Sequence, residues 1–331
     1  MKKLILILTV GTLLGSCGGG NDKRSKVKLD GSSTIYPISE AVAEEFQEEN
    51  EEVNVTIGVS GTGGGFKKFI RKEIDITGAS RPINKLEDAD ANTQGVSYIE
   101  LPVAYDGLAI VVNPQNTWVN KITVAELKKL WEPASQGKIT KWNQIRPEWP
   151  NEKINLYGPA TESGTFDYFT EAIVGESKAS RGDYTASEDD NVLVQGISTD
   201  KYGLGYFGLA YYEENQDKLK LVPVDDENES NGAGAIAASQ ESVLNGTYQP
   251  LSRPLFIYVN TESANQPAVD KFVKYFITSA SELVPETGFI PLKQETYDLV
   301  MKRYQDRKTG SLFLEVSTVG IKLDEVLKSV E

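Results

Sequence analysis

Val27-Lys28-Leu29-Asp30-Gly31-Ser32-Ser33-Thr34-Ile35-Tyr36-Pro37-Ile38 reads as a strand, a glycine- and hydroxyl-rich turn, and the start of a helix. The helix is predicted from about Tyr36 to Glu49, because Ile38, Val42 and Phe46 fall on one face. The same alternation continues along the chain. Strands are expected at Asn54 to Val59 and Ile74 to Ala79, with a helix from Phe66 to Lys72 between them. Two apolar runs, Val96 to Val103 and Gly107 to Val112, are separated only by Ala104-Tyr105-Asp106. Further strands are expected at Ile154 to Tyr157 and Leu255 to Val259, and helices at Phe166 to Val174, Asn191 to Ser198, Ala268 to Phe276 and from Leu323 to the end. Short β-rich runs alternating with helical patterns argue for α/β layers rather than a sandwich. No internal repeat is visible, and the acidic stretch Asp225 to Ser230 reads as a solvated loop.

The 331 residues are too many for one small core and suit two domains. With 34 basic and 48 acidic residues the formal charge is −14, which argues against a general affinity for nucleic acid or anionic lipid. There is no histidine, so a Ser-His-Asp or Cys-His hydrolase cannot be written. A single cysteine excludes a disulfide framework, and without histidine leaves a structural zinc site short of its usual ligands.

Lys2 and Lys3 precede an apolar run from Leu4 to Leu14 that is too short to span a bilayer. It ends Leu14-Gly15-Ser16-Cys17, which resembles a lipoprotein signal sequence: cleavage would remove residues 1–16 and leave Cys17 as the lipidated first residue. Residues 17–26, rich in glycine and polar side chains, then read as a flexible tether. The expected mature protein is exported, in the periplasm or on the cell surface, and held to the membrane through Cys17 alone. Maturation removes two lysines and leaves 32 basic against 48 acidic residues, a charge of −16.

Three strand-to-helix turns carry the chemistry: Gly31-Ser32-Ser33-Thr34, Ser60-Gly61-Thr62-Gly63-Gly64-Gly65 and Ser163-Gly164-Thr165. The first turn of a helix has unpaired N–H groups and the positive end of the dipole, so such turns hold anions. Glycine permits close approach to the backbone, and hydroxyls add neutral donors. Ser and Thr also cap ordinary helices, so the turns make a site only where the fold brings them together. The second turn is not a nucleotide P-loop: in Gly61 to Lys68 the second glycine and the metal-binding hydroxyl are misplaced. Neither Ser60 nor Ser163 lies in a G-x-S-x-G elbow.

Asp30-Gly31-Ser32-Ser33-Thr34-Ile35-Tyr36-Pro37, Ser60 to Phe69, Ala79-Ser80-Arg81-Pro82-Ile83, Ser163-Gly164-Thr165-Phe166, Gly203-Leu204-Gly205-Tyr206-Phe207 and Gly288-Phe289-Ile290-Pro291-Leu292 occur in this order. Together they resemble the phosphate-binding proteins of bacterial Pst-type phosphate ABC transporters, across essentially the whole mature chain. The resemblance implies a type II periplasmic-binding-protein fold: two α/β domains, mixed sheets flanked by helices, and a hinge of crossover strands. Domain I would be 27–104 with 257–331, and domain II 105–256; the runs 96–103, 107–112 and 255–259 sit where the hinge crossings belong. It implies binding of inorganic phosphate outside the cytoplasm and delivery to permease subunits by a monomer that is not an enzyme, needs no cofactor or metal, and engages no nucleic acid. The implied ligands are Ser33, Thr34 and the Ile35 amide, a hydroxyl from Ser60 or Thr62, and Ser163, Gly164 and Thr165.

Two departures bear on selectivity. Many family members have aspartate where this chain has Arg81, and arginine where it has Pro159, four residues before Ser163. Arg81 is therefore the expected cation, since its fork suits phosphate, with Arg181 a weaker, structural candidate. The acceptor for the phosphate proton is left open, Glu162 being nearby in sequence. Sulfate, of the same shape but without that proton, is the rival ligand. A phosphate-ester hydrolase with Ser163 or Thr62 as nucleophile would lack a histidine base. Trp118, Trp131, Trp142 and Trp149 form either domain packing or a contact face for a partner.

Overall fold

The computed structural model describes residues 24–161, 163–187, 189–315 and 323–329; the leader, Cys17, most of the tether and Glu162 lie outside the described residues. The first lobe begins with β1 (Ser25–Gly31), α1 (Tyr36–Glu49), β2 (Val53–Val59), α2 (Thr62–Ile70), β3 (Ile76–Ala79) and α3 (Lys85–Thr93). β4 (Tyr98–Val112) carries the chain into the second lobe. There follow β5 (Ile122–Thr123), α4 (Val124–Trp131), β6 (Asn155–Pro159), α5 (Gly164–Phe169), β7 (Thr185–Ser187), α6 (Asp190–Thr199), β8 (Gly203–Gly208), α7 (Leu209–Glu213), β9 (Lys220–Leu221), β10 (Val224–Asp225) and α8 (Gln240–Leu244). β11 (Ser252–Asn260) returns, and α9 (Pro267–Glu286), β12 (Ile290–Pro291), α10 (Gln294–Gln305) and α11 (Leu323–Ser329) complete the described elements.

The main sheet runs β2-β1-β3-β11-β4-β8-β6-β7. β1 is parallel to β2 and β3, β11 is antiparallel to β3 and β4, and β8 is antiparallel to β4 but parallel to β6. The sheet is therefore mixed, as expected. β4 belongs to both lobes: Tyr98 to Gly107 pair with β11, and Leu108 to Val112 pair with β8. The change of partner falls at Gly107–Leu108, and the pairing of β11 with β4 starts at Ser252.

The two apolar runs expected around Ala104-Tyr105-Asp106 are one buried strand of fifteen residues. Asp106 does not interrupt it, because Arg253 on β11 lies directly opposite and pairs with it. The register slips by one between Leu255 and Phe256, beside Pro102, a residue with no N–H to offer the ladder. Val103, at the slip, gives its carbonyl to the Tyr297 hydroxyl at 2.8 Å.

α1 matches its predicted span, and Ile38, Val42 and Phe46 are all buried, Phe46 edge-on to Phe272 of α9 with ring centroids 5.2 Å apart. α2 starts at Thr62, four residues before the predicted Phe66. Within its first turn a Cβ on Gly65 would lie 2.4 Å from Thr77 Oγ1 and 2.7 Å from the Gly31 Cα, so only glycine lets this turn seat on the sheet. α9 extends to Glu286 because Ile277, Ala280 and Val284 continue its buried face past Phe276. α5 begins at Gly164 and continues as a π-helical turn, Thr170–Val174.

Trp131, Trp142 and Trp149 are buried and Trp118 is half-buried. Trp142 lies edge-on between Trp118 and Trp149, and Trp131 packs on Tyr206 at 4.9 Å. The tryptophans are packing, and the contact-face alternative is set aside. The acidic stretch after Asp225 is a solvent-facing loop.

Candidate anion-binding cleft

The three hydroxyl-rich turns come from different strand ends and converge on one cleft. Ser33 and Thr34 lie before α1, Ser60 and Thr62 at the start of α2, Ser80 and Arg81 after β3, and Gly164 opposite them at the start of α5. The cavity between them is about 470 Å³. In the first lobe the turns are tied to one another: Ser32 N–H donates to Gly78 O at 2.9 Å, and Ser60 N–H to Gly31 O at 3.1 Å. Thr34 N–H donates to Ser32 Oγ at 3.2 Å.

The hydroxyls differ in what they have left to give. Ser60 Oγ donates to Asp30 Oδ1 at 2.5 Å, and the Lys68 ammonium reaches Asp30 Oδ2 at 2.6 Å. Burial, the largest influence, pushes the Asp30 carboxyl up, but Lys68, Ser60 and the Gly31 amide together hold it below the ordinary carboxylate value. Thr62 Oγ1 instead accepts the Ser80 N–H at 3.2 Å and shares a hydrogen bond with Ser80 Oγ at 3.1 Å. With an acceptor role filled by an amide, the Thr62 hydroxyl is the better placed of the two to donate into the cleft.

On the second lobe, Ser163 caps α5 by accepting the Thr165 N–H at 3.2 Å. Gly164 lines the cavity; Ser163 and Thr165 flank it, and Ile35 is buried behind the first turn. Gly164 approaches the opposite turn so closely that a Cβ there would lie 2.2 Å from Thr34 Oγ1 and 3.0 Å from Ser33 Oγ. The two lobes thus touch at the anion-type turns themselves.

Arg81 lines the cavity, but its fork is already engaged. Its two terminal nitrogens donate to the two Glu87 oxygens, each at 2.8 Å, and one also reaches Pro82 O at 3.0 Å. Arg181 lies elsewhere, bound to Asp183 at 2.5 and 2.8 Å and to the carbonyls of Leu130 and Ile139.

The cation that sequence reasoning missed is Arg253, only 8% exposed at the start of β11. Its Nη2 donates to Thr34 Oγ1 at 3.3 Å in one lobe and to Gly164 O at 3.4 Å in the other. Nη2 and Nε both reach Asp106 Oδ2, at 3.2 and 3.3 Å, and the guanidinium lies 3.9 Å from the centre of the Tyr168 ring. Burial pushes the Asp106 carboxyl above its ordinary value against the pull of Arg253. A signal existed: Asp106 interrupts an apolar run, and a buried carboxylate requires a partner. Its partner is 147 residues away, beyond any local pattern.

The carboxylates that line the cavity, Asp167, Glu171 and Glu176, all belong to the second lobe. Lys178 also lines it, 3.9 Å from Asp167. With Arg81 on Glu87 and Arg253 on Asp106, this cleft offers hydroxyls, amides and paired cations rather than a strongly positive surface. Among the described residues there is no cluster of three side chains suited to a metal ion, and no helix long and apolar enough to cross a membrane.

A family profile described as a PBP superfamily domain matches residues 18–280. Protein SphX of Synechococcus elongatus is 49% identical over 326 residues, spanning 98% of this chain and 95% of that protein. The phosphate-binding protein PstS of Staphylococcus saprophyticus is 36% identical over 302 residues, 89% of this chain and 90% of that one. Among solved structures, one described as a possible phosphate binding protein from Planctomyces limnophilus superposes with a TM-score of 0.79 at 46% identity, over 86% of this chain and 99% of that chain.

Proposed function

The chain belongs to the periplasmic-binding-protein superfamily, among its phosphate-binding proteins, and we propose that it captures inorganic phosphate outside the cytoplasm and delivers it to the permease of an ABC transporter. One observation carries the reading: hydroxyl- and amide-bearing turns from both lobes meet at a cleft that Arg253 bridges. Thr34, Thr62, Gly164 and Arg253 would contact the anion directly. Ser33, the Ile35 amide, Ser163 and Thr165 would complete the cradle, and Ser60 would brace it through Asp30.

Arg253 takes the cationic role, arriving from β11 rather than from the end of β6, where Pro159 stands. Arg81 stays a wall of the cleft, anchored on Glu87. Asp167, one turn beyond Gly164, accepts the proton that distinguishes hydrogen phosphate from sulfate. The first lobe is formed by the segments before Gly107 and after Ser252, and the second by the segment between. The leader and Cys17 support export and a lipid tether, with the folded part acting as a monomer that binds rather than transforms its ligand.

Calorimetric titration of ligand-free protein with phosphate and sulfate tests the reading. Phosphate should bind with a Kd of about 1 μM or lower, roughly −8 kcal/mol or better. Absence of phosphate binding, or a preference for sulfate, would overturn the assignment.

A further inference from the structure

A second cavity, of about 240 Å³, opens beside the first, and Ser80, Arg81, Glu171 and Arg253 line both. Beyond those shared residues its walls are Tyr168, Ala172, Ser252 and three prolines, Pro82, Pro250 and Pro254; the Ser252 hydroxyl is already spent on the Tyr248 carbonyl at 2.6 Å. We propose that the cleft accepts, besides inorganic phosphate, phosphorus oxyanions bearing one short organic substituent, namely small alkylphosphonates and phosphate monoesters, with the substituent seated in this side cavity. The inference rests on the phosphate reading above, because the oxyanion would occupy the same turns.

Size is the first argument. The main cavity alone, about 470 Å³, falls in the range of about 300–1,000 Å³ usual for small organic ligands, whereas a lone tetrahedral oxyanion has five heavy atoms. At the turns the lobes already meet, Gly164 standing against Thr34 and Arg253 bridging the two, so this space lies beside that contact.

The second argument is chemical. Arg253 lines both cavities and lays one face on Tyr168, which lines the second, so a substituent leaving the phosphorus past Arg253 would meet the same ring. Prolines, an alanine and an aromatic face offer dispersion and apolar burial to a short alkyl or aryl group and little to a polar chain. Glu171 at the junction repels a second anionic group, so diphosphates and nucleotides are excluded while a neutral substituent passes.

The test is competition of methylphosphonate, ethylphosphonate and phenyl phosphate against phosphate, measured calorimetrically on the full mature chain. The phosphonates replace one oxygen by carbon and phenyl phosphate has one oxygen esterified, so binding is expected about ten- to a hundredfold weaker than that of phosphate, the cost of one charge-assisted contact. Ala172→Phe fills the side cavity and should abolish binding of the substituted ligands while phosphate binds as before, which also certifies that the variant folds. If Ala172→Phe loses phosphate too, the smaller Ala172→Leu makes the same comparison. No displacement of phosphate by any substituted ligand, or displacement that ignores the filled cavity, overturns the inference and leaves the phosphate assignment standing. Failure of wild-type protein to bind phosphate at all overturns the assignment instead.

Discussion

Arg253 is held by Asp106, Thr34, the Gly164 carbonyl and the Tyr168 ring before any ligand arrives. Replacing it by alanine is expected to weaken phosphate binding by at least about ten- to a hundredfold, as a charge-assisted contact is worth about 1.5–3 kcal/mol. The same variant strands Asp106 in the core, so denaturant unfolding should register a loss of about 3–5 kcal/mol. Arg253→Lys keeps the charge but not the fork or the stacking, and should fall between the two. Arg81→Ala makes the informative contrast. With its guanidinium committed to Glu87, its loss should move phosphate affinity by only about twofold, the ordinary range of a residue outside the contact set. A tenfold loss would return the cationic role to Arg81. Asp167→Asn should leave phosphate bound but narrow its advantage over sulfate; unchanged discrimination would take Asp167 out of the proton-accepting role.

At the scale of elements, two glycines separate the stability of a lobe from the contact between lobes. Gly65→Ala puts a methyl group against Thr77 and the Gly31 backbone inside the first lobe, and overpacking of this kind costs about 1–3 kcal/mol. Its melting temperature should fall even without phosphate. Gly164→Ala places the clash across the cleft, on Thr34, so phosphate affinity should drop while the melting temperature of ligand-free protein stays nearly unchanged. The β1–α1 turn has its own pH signature. The Asp30 carboxyl titrates below its ordinary value of 3.8, so its contribution to stability is complete above that value and is lost as the pH falls through the depressed one. Thermal melts from pH 7 to pH 3 should show wild type losing its advantage over Asp30→Asn only at the acidic end. An advantage that fades near neutrality would contradict the Lys68–Asp30–Ser60 arrangement.

For the whole molecule, a charge of −14 means that a phosphate anion approaches against the mean field of the protein. Recognition must then be local, made at short range by the groups that line the cleft. Stopped-flow association rates should therefore stay flat or rise with added salt, as a Debye length of about 8 Å at physiological ionic strength screens the repulsion. A rate that falls steeply with salt would reveal a steering patch, with Lys178 at the cleft the first residue to replace. The lobes are joined by β4 and β11, and these strands carry the Arg253–Asp106 pair, so the crossing strands also supply a wall of the cleft.

Much of this was legible along the chain, because it depends on near neighbours. Strand-turn-helix units announce themselves through apolar periodicity over a few residues, and anion-type turns through glycine and hydroxyls at a helix start; α1 and the Ser163 cap of α5 lie where that reading puts them. The absence of histidine and the excess of acid likewise follow from counting alone. Tertiary structure decided whatever depends on distant partners. That position 65 must be glycine follows from Thr77 and Gly31 packed against it, and that Asp106 continues a strand follows from Arg253 across it. That Arg81 lies on Glu87, and Arg253 on Asp106 with contacts to both lobes, likewise depends on partners far from each in sequence or on the turn between. A charged side chain's role is set by the Coulomb partners within a few ångströms of it, and for Arg253 the fold alone supplies them.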